Sequence, residues 1–596
     1  MVKVSDYVMK FIHCLGVDHI FMLAGGGSMH LNDSADKVEG LSYVCCLHEQ
    51  ACAIAAESYA RARNSMGAAL LTTGPGSTNA LTGVASAYMD SIPVIYISGQ
   101  VKRADMINGQ GVRQMGLQEI DIIPIVRPVT KYAETVMAPE DLKYHLERAA
   151  HAAREGRPGP AWLSIPLDIQ AAFVEESGLV GFEGRLERKA PSDKELDEII
   201  SLYNSSERPV LIGGGGVRLA DAGDAFLELA SELGIPVLLG WNGADLMESD
   251  NPRNMGRFGA VAPRYSNFAV QNADFILSIG TRMDMQQTGF NYKAFGREAC
   301  HVMVDIDPNE MKKANVSPRL AIQADAKEFL SRLLARKGEF IEKDRSGWLE
   351  ACREWKRKYP VIKDEYKAQA GGVNSYLLIG ELSEQMDEGD QLIPGSSGSC
   401  MDVAMQAFSV KRGQRLFASP GMASMGFGLP AGIGACIGAG RRTVVVNGDG
   451  GLQMNIQELE TLRRLGLPVK LFVLNNNGYG AIRSTQTSVF GGHFVGCDPG
   501  SGVTLPNLEK IAFAYGLRYE RIEGHPGLHE GVRRVLDGDD PAICEVMVSE
   551  QMAIAPKQAS FKNKSGQMES LPIEEMNPPL EDSEMDGAMI VPRIAK

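Results

Sequence analysis

The chain has 596 residues, which is too long for a single hydrophobic core and indicates about three or four domains. Its composition, 44% hydrophobic and 22% charged, is ordinary for a soluble globular protein. The formal net charge of −14 argues against a general surface for nucleic acid or anionic membranes, although a local glycine-rich pocket can still bind a phosphate.

Short apolar runs alternate with helical patterns along the whole chain, which is typical of parallel α/β layers. In the first third, strands are predicted at 43–46, 68–72, 94–98 and 161–165, and a polar connection follows at 176–197. In the middle third, strands are predicted at 209–212, 275–279 and 302–304, and a glycine turn (Gly213 to Gly216) follows the first of them. A charged, helix-rich linker is predicted at 327–367.

The last third has predicted strands at 392–393, 443–446, 470–474 and 543–548. From 554 onward the chain is rich in proline, methionine and acidic residues, which predicts an extended tail. The most economical division is three α/β domains at 1–175, 190–345 and 370–553, with the tail at 554–596. Each domain is expected to be a doubly wound parallel sheet.

Cysteine usage and the N-terminal residues favour a reduced, cytoplasmic compartment. The ten cysteines include no CxxC pair and no His/Cys cluster with zinc-like spacing. The first residues, MVKVSDYVMKF, lack the basic stretch and apolar run of a secretory signal.

One βαβ unit in the last third carries two polar motifs. The strand 443–446 ends in Asn-Gly-Asp-Gly-Gly, an apolar helical face follows at 452–465, and the strand 470–474 ends in Asn-Asn-Asn-Gly. Each motif alone would usually be a simple turn. Because the carboxyl ends of parallel strands meet at one edge of a sheet, Asp449 and Asn476, 27 positions apart, are expected side by side.

The residue types at this edge suit a metal ion and a phosphate. A carboxylate, an amide oxygen and a loop carbonyl are hard oxygen ligands of the kind that Mg²⁺ prefers. Gly450 and Gly451, at the start of the predicted helix, allow backbone N–H groups to approach a phosphate.

With these motifs the sequence resembles the thiamine-diphosphate enzymes, whose signature is GDG followed at a fixed interval by NN. The acetohydroxyacid (acetolactate) synthases are the nearest large group, and the resemblance covers nearly the whole chain. It implies pyrimidine-binding, central and diphosphate-binding domains in that order. It also implies that Mg²⁺ is held by Asp449, Asn476 and the carbonyl of Gly478.

The resemblance implies further cofactor contacts in the last third. Gly398, Ser399 and Cys400 of the PGSSGSC segment would contact the diphosphate from the side opposite Gly448, Gly450 and Gly451. The SPGMASMGFGLPAGIGA segment looks like the family's pyrimidine-holding loop, in which Met425 bends the cofactor and the carbonyl of Ala423 accepts from the aminopyrimidine. The family more often has glycine at 423.

Glu49 would by itself be an ordinary acid at a helix start. The resemblance makes it the carboxylate that hydrogen-bonds the pyrimidine ring nitrogen, with Pro75 and Asn79 in the TGPGSTN loop beside the same ring. The chemistry needs this contact because the cofactor's own imino group removes the C2 proton, and that group forms only when the distal ring nitrogen is held protonated. In the family the two halves of a site come from different subunits, which implies a homodimer or homotetramer.

The substrate side departs from the synthases at several positions. The first loop keeps Gly26 near the reacting carbon but adds His30 and Asn32 as polar groups near the expected acceptor position. His30 is a candidate catalytic or binding residue, although a lone histidine is more often structural. Gln118, in a segment similar to the synthase FQE loop, is a candidate substrate contact. Where the synthases have an arginine for the acceptor's carboxylate this chain has Gln286, which cannot form a bidentate ion pair. Where they have a tryptophan it has Thr485 and Gln486.

These features predict a carboligase that decarboxylates pyruvate or another 2-oxo acid and transfers the acyl unit to a second carbonyl. The acceptor is expected not to be a simple 2-oxo acid, and a keto-sugar is one candidate by family analogy. Acetolactate synthesis, a 2-oxo-acid decarboxylase or C–C lyase/hydrolase, and a non-catalytic regulatory homologue remain alternatives. The Gly213–Gly216 turn leaves open whether the central domain binds FAD, as in the synthases, or keeps a vestigial nucleotide site.

Overall fold

The computed structural model describes residues 1–396, 398–550, 552–563 and 565–594. Across these ranges the chain forms three six-stranded sheets, one in each third of the sequence, in which all neighbouring strands are parallel. Helices flank each sheet. The predicted α/β class with three doubly wound parallel sheets is confirmed.

The first domain is built on a sheet whose inner strands are almost entirely buried. The strands, in spatial order, are Ser42–Cys45, His19–Met22, Gly67–Leu71, Val94–Gln100, Ala161–Pro166 and Tyr132–Thr135. A short antiparallel pair, Val2–Lys3 with Phe173–Val174, closes one side. Its helices are Val4–Cys14, Met29–Ala35, Glu49–Arg63, Pro75–Thr78, Leu81–Met89, Ile123–Val126, Leu142–Arg154 and Leu167–Ala171.

The central domain has the spatial strand order Asn254–Arg257, Val237–Leu239, Pro209–Gly213, Phe275–Ile279, Cys300–Asp305 and Leu320–Gln323. Alternate residues of Pro209–Gly213 pack on opposite faces, since Leu211 belongs to one hydrophobic cluster while Val210 and Ile212 belong to another. Its helices are Asp193–Ser205, Gly215–Leu219, Gly223–Leu233, Arg264–Gln271, Met285–Thr288 and Ala326–Ala335, and Ser346–Lys358 follows in the predicted linker.

The third domain has the spatial strand order Arg415–Leu416, Gln391–Pro394, Thr443–Gly448, Val469–Asn475, Ala542–Met547 and Arg518–Ile522. The helix predicted at 452–465 begins earlier and is interrupted: Asp449–Leu452 and Glu458–Leu465 are separated by a 3-10 turn at Gln453–Asn455. The other helices are Ser375–Gln385, Met401–Ala407, Gly428–Ala439, Gly480–Phe490, Leu508–Tyr515 and Leu528–Leu536.

The tail does not extend away from the molecule. Lys557–Gln558 pairs with Met576–Asn577, and Ser560–Lys562 pairs with Met568–Ser570, both antiparallel. The Asp582–Ala588 helix then packs Met585 and Ala588 into the core of the central domain. Residues 564, 595 and 596 of the predicted tail lie outside the described residues.

The first and third domains are held together by two helices of small residues. A Cβ atom added to Gly434, in the Gly428–Ala439 helix, would lie 2.1 Å from the carbonyl oxygen of Ala55 in the Glu49–Arg63 helix. Only glycine permits this approach of the two backbones. The start of the Glu49–Arg63 helix is therefore fixed relative to the third domain of the same chain.

Within the described residues, no helix has both the length and the apolar character required to cross a membrane.

Candidate active site

The two motifs of the third domain meet at one edge of its sheet, because their strands are neighbours. Asp449 joins them directly. Its Oδ1 accepts a hydrogen bond from the N–H of Gly450 at 2.7 Å, and its Oδ2 accepts one from the N–H of Gly478 at 3.1 Å. Burial raises the pKa of Asp449 to about 6, and the surrounding backbone N–H groups oppose that rise.

Asn476 has a buried side-chain oxygen, Oδ1, with no hydrogen-bond partner among the described residues. A buried acceptor without a partner costs free energy unless a ligand satisfies it. Among the described residues, no group of three or more His, Cys, Asp and Glu side chains is placed to hold a metal ion, so a metal here would depend on amide and carbonyl oxygens as well as on Asp449. That donor set fits Mg²⁺.

A cradle of backbone lies beside this position. The strands Gln391–Pro394 and Thr443–Gly448 are neighbours, and the loops that follow them approach each other. A Cβ atom on Gly448 would lie 3.8 Å from Sγ of Cys400, and one on Gly451 would have its nearest neighbour at 3.6 Å. Gly398 has φ +75°, which favours glycine. Residues 398–400 and 448–451 therefore lie beside each other, and Ser399 is half-buried in the first of these segments.

The expected pyrimidine loop has an unusual backbone at Ala423. Its φ is +48°, a left-handed conformation in which a Cβ atom is disfavoured, so the glycine that the family more often has there has a steric reason. Asn455 supports the loop, because its Nδ2 donates to the carbonyl of Gly426 at 2.8 Å. Met425 lies half-buried within this supported turn.

In the first domain the structure brings Glu49 and Asn79 together. Glu49 is 7% exposed, and its Oε2 accepts a hydrogen bond from Nδ2 of Asn79 at 3.0 Å. Pro75 begins the short helix that leads to Asn79. A Cβ atom on Gly76 would lie 3.2 Å from the other oxygen, Oε1, so glycine there keeps Oε1 uncovered.

The structure shows which contacts the start of the Glu49–Arg63 helix makes with the third domain of the same chain. No hydrogen bond between described residues links Glu49 or Asn79 to residues 398–400, 448–451 or 475–478. The helix start instead rests on its own third domain through Glu458, whose Oε1 accepts from the N–H of Leu47 at 2.9 Å.

Comparison with known proteins agrees with this geometry. Residues 2–125 match the thiamine pyrophosphate enzyme N-terminal TPP binding domain, 196–333 the central domain, and 396–546 the C-terminal TPP binding domain. Acetolactate synthase 1, chloroplastic, of Nicotiana tabacum is 32% identical over 578 residues, covering 94% of this chain and 84% of the relative. The acetolactate synthase large subunit of Lactococcus lactis is 30% identical, covering 93% of each. The chain belongs to the thiamine-diphosphate enzymes, in their acetolactate-synthase-like group.

Gly26, His30 and Asn32, in the first loop of the chain, have different surroundings. A Cβ atom on Gly26 would meet nothing within 4 Å, so its backbone faces open space. Asn32 braces the loop by donating from Nδ2 to the carbonyl of Gly25 at 3.2 Å. Burial, followed by the charge of Lys3, lowers the pKa of His30. Asn32 rather than His30 therefore contacts the glycine loop.

Gln118 lies exposed beside the loop that carries Asn79. Gly74 allows the two loops to lie this close, since a Cβ atom at Gly74 would be 2.4 Å from the carbonyl oxygen of Gln118. The sequence interpretation missed Glu119, which is 6% exposed and shapes the turn. Its Oε2 accepts hydrogen bonds from the N–H groups of Met115 and Gly116, both at 3.0 Å.

Two of the departures from the synthases have distinct surroundings. The side chain of Gln286 lines a large cavity and has no hydrogen-bond partner among the described residues. Arg282 is already engaged, because it donates to the carbonyl of Met89 at 2.8 Å and pairs with Asp284 at 3.2 Å. Gln486 binds the backbone of Val495 through both its amide nitrogen and its amide oxygen, so it fastens a loop.

Arg483 was also missed, although it supports the expected metal loop. It is 5% exposed and donates to the carbonyls of Asn476 and Asn477, both at 3.1 Å, and of Glu550 at 3.2 Å. An arginine seven positions after the second asparagine is the only sequence signal for this role. Its hydrogen bonds fix the backbone from which the Asn476 side chain projects.

Proposed function

We propose that the chain is a thiamine-diphosphate- and Mg²⁺-dependent carboligase that decarboxylates pyruvate or another 2-oxo acid and transfers the acyl unit to a second carbonyl compound. The observation that carries the proposal is the buried, unpartnered Oδ1 of Asn476 beside Asp449. Together with the carbonyl of Gly478, these oxygens are a fitting ligand set for Mg²⁺, which would in turn hold the diphosphate.

The residues of the first domain would control the proton on the cofactor. Thiamine diphosphate, when bound, supplies the nucleophilic carbon and the electron sink that decarboxylation requires. Asn79 occupies Oε2 of Glu49, which leaves Oε1 to share a proton with the pyrimidine nitrogen. Gly76 keeps that oxygen accessible.

We propose that a second copy of the chain completes each site, as a homodimer or a homotetramer. Large apolar side chains are exposed near both halves: Leu117 is 86% exposed beside Gln118, and Phe490 is 63% exposed on the helix after Asn476. Contact with a second copy would bury these side chains. Glu49 of one copy would then face Asp449 of the other.

The acceptor is proposed to be a carbonyl compound other than a simple 2-oxo acid, and a keto-sugar is one candidate. Gln286 offers an uncharged amide where the synthases have an arginine, and Arg282 is held by Met89 and Asp284. A 2-oxo-acid acceptor would lack its bidentate partner at this position.

Acetolactate synthesis is the second candidate, because one observation favours it. Arg113 is exposed on the same loop as Gln118 and forms no ion pair with any described residue. A free guanidinium on that loop could bind an acceptor's carboxylate in place of the missing arginine. Curated relatives are named acetolactate synthases.

The deciding experiment is to incubate the protein with thiamine diphosphate, Mg²⁺ and pyruvate, and to measure CO₂ release. Products with 2-oxo-acid, aldehyde and keto-sugar acceptors are then identified by mass. Acetolactate at synthase-like rates would favour the second candidate, and free aldehyde alone would indicate a decarboxylase. A lack of CO₂ from every donor would support a non-catalytic homologue.

We further propose that the large cavity of the central domain binds a nucleotide, in the form of FAD. The cavity is about 820 Å³ and lies where the strands Pro209–Gly213, Phe275–Ile279 and Cys300–Asp305 end, the usual ligand position in such sheets. It continues to Asp402 and Ala423 in the third domain. Visible absorption of purified protein, before and after added FAD, tests the proposal, and no flavin peak in either case would make the site vestigial.

A cytoplasmic location is also proposed. All ten cysteines are unpaired in the structure, and free thiols persist in reducing compartments. The Nicotiana tabacum relative is named chloroplastic, which describes that plant protein. Cell fractionation of the source organism, with detection of the native chain, tests the location.

A further inference from the structure

A cavity of about 250 Å³ lies between the central domain, the Ser346–Lys358 helix and the third domain. We call it the basic cavity, because the side chains of Arg257 and Lys356 line it and none of the described residues lining it is acidic. It shares no lining residue with the large cavity or with the expected cofactor positions. The positive charge of the basic cavity therefore needs an explanation of its own.

Arg257 is a buried cation without a carboxylate partner. It is 4% exposed and forms no ion pair with any described residue. Its Nη2 donates to the carbonyl of Phe408 at 2.8 Å, which caps the end of the Met401–Ala407 helix. Its Nε is buried and has no partner. Burial lowers the pKa of Arg257 to about 10. One donor of a costly buried charge is thus left unsatisfied.

Lys356 adds a second cation to the same cavity. Its Nζ donates to the carbonyls of Ser249 at 3.1 Å and Asn254 at 2.8 Å, and it forms no ion pair with a described residue. Burial and the positive charge of Arg257 lower the pKa of Lys356, while Asp250 acts in the opposite direction. Backbone carbonyls alone do not neutralise two like charges that share a cavity.

Neutral donors complete the cavity wall. The hydroxyl of Tyr265 has no hydrogen-bond partner among the described residues, and the residue is half-buried. The hydroxyl of Ser249 accepts from the N–H of Val410 at 2.8 Å, which leaves its own proton available. A cavity with two cations, two hydroxyl donors and no acid has the charge and hydrogen-bond pattern of an anion site.

We propose that the basic cavity binds a small oxyanion, a phosphate or a carboxylate, through Arg257, Lys356 and Tyr265. The anion would supply the missing negative charge and an acceptor for Nη1 of Arg257, for which no hydrogen bond to a described residue is formed. The volume admits one such group with water, and it is too small for a nucleotide. The proposal does not depend on the reaction of the enzyme.

The test is binding of inorganic phosphate, and separately of malonate, to the full chain saturated with thiamine diphosphate and Mg²⁺. Saturation with the cofactor keeps the probe out of the expected diphosphate position. Thermal unfolding is compared with chloride at equal ionic strength, and calorimetry gives the stoichiometry. We expect one anion per chain and a higher unfolding temperature with at least one probe.

Variants assign the binding to the basic cavity. Arg257→Gln and Lys356→Gln should each weaken binding about tenfold or more. Tyr265→Phe removes only the hydroxyl and should weaken binding by a smaller factor, even if the other variants fold poorly. Lys194→Gln, on an exposed helix face, is the matched control and should bind as the wild type does. Equal unfolding temperatures in phosphate, malonate and chloride would overturn the proposal, as would unchanged affinity in Tyr265→Phe together with either charge variant.

Discussion

The carboxylate of Asp449 accepts a hydrogen bond from the backbone N–H of Gly478 at 3.1 Å, so the ends of two neighbouring strands are tied together. Asn476, two residues before Gly478, carries a buried amide oxygen that has no hydrogen-bond partner among the described residues. A site that depends on two strand ends is preorganised before any ligand arrives.

Replacing Asn476 by serine should weaken activation by Mg²⁺ by about 100-fold or more, since loss of an outer-shell partner alone commonly costs 10- to 100-fold. Titration of the apoprotein with Mg²⁺ at fixed thiamine diphosphate, followed by intrinsic fluorescence, measures the affinity. The matched control is Asn477→Gly, because Asn477 has φ +60°, which glycine accepts freely. Equal Mg²⁺ affinities in the two variants would contradict the assignment.

Glu49→Gln should leave cofactor binding nearly intact but slow exchange of the cofactor's C2 proton by about 10²- to 10⁴-fold. The glutamine can still bond Asn79, but it cannot share a proton with the pyrimidine. Exchange into deuterated water, followed by NMR after acid quench, gives the rate. Glu39→Gln, at an exposed glutamate, should exchange like the wild type. Fast exchange in Glu49→Gln would remove this residue from the mechanism.

Gln286→Arg should increase carboligation with 2-oxo-acid acceptors by about tenfold or more, because a guanidinium can pair bidentately with the acceptor's carboxylate. The side chain lines the large cavity, so the longer arginine has room. Gln286→Met changes the amide without adding charge and should show no such gain. The rates are measured as acetolactate formed from pyruvate. The proposal that the acceptor is not a simple 2-oxo acid would be ruled out if Gln286→Arg gave no gain and the wild type already formed acetolactate at synthase-like rates.

His301 should make the central domain sensitive to acid. Burial lowers its pKa from 6.5 to about 4, so the unfolded chain binds the proton more tightly. The contribution of neutral His301 to the free energy of unfolding is therefore fully present above pH 6.5 and is lost as pH falls toward 4. By linkage this amounts to about 2 kcal/mol between pH 7.5 and pH 5.

Urea unfolding at the two pH values measures this difference in the free energy of unfolding. His301→Gln can still bond Ser278, the partner of His301 at 2.8 Å, but it does not titrate. The free energy of unfolding that the variant loses between pH 7.5 and pH 5 should be about 2 kcal/mol smaller than the wild type's loss. Parallel pH profiles of wild type and variant would show that another group is responsible.

Gly434→Ala should destabilise the contact between the first and third domains by about 1–3 kcal/mol, the usual cost of an overpacked core. The added methyl would lie 2.1 Å from the carbonyl oxygen of Ala55. Gly223→Ala is the matched control, since a Cβ there meets nothing within 4 Å. Calorimetric unfolding should show a lower midpoint for the first variant only. An unchanged midpoint would mean that the two helices can separate slightly at no cost.

The sequence by itself determined the sheets and the main motif. Apolar runs of strand length mark buried parallel strands whatever their partners, so the strand at 275–279 was predicted with its observed bounds. Because the carboxyl ends of neighbouring parallel strands meet at one edge of a sheet, Asp449 and Asn476, which follow two such strands, were then expected side by side. Both inferences depend on backbone periodicity, which is local information.

Only the tertiary structure decided which polar side chains remain available. His30 was the candidate residue of the first loop, yet Asn32 donates to the carbonyl of Gly25, whereas burial and then the charge of Lys3 lower the pKa of His30. Nothing in the sequence indicated that Gln486 is occupied by Val495. The partners of a side chain depend on contacts between distant segments, and no spacing encodes them.

The tail and the basic cavity show the same limit. The proline- and acid-rich composition of the tail predicted an extended segment, but Met585 and Ala588 pack into the central domain. Arg257 and Lys356, nearly 100 positions apart, share one cavity because a strand and a helix meet there. Burial converts such neighbours into a charge pair that must be compensated, and burial is a property of the folded chain alone.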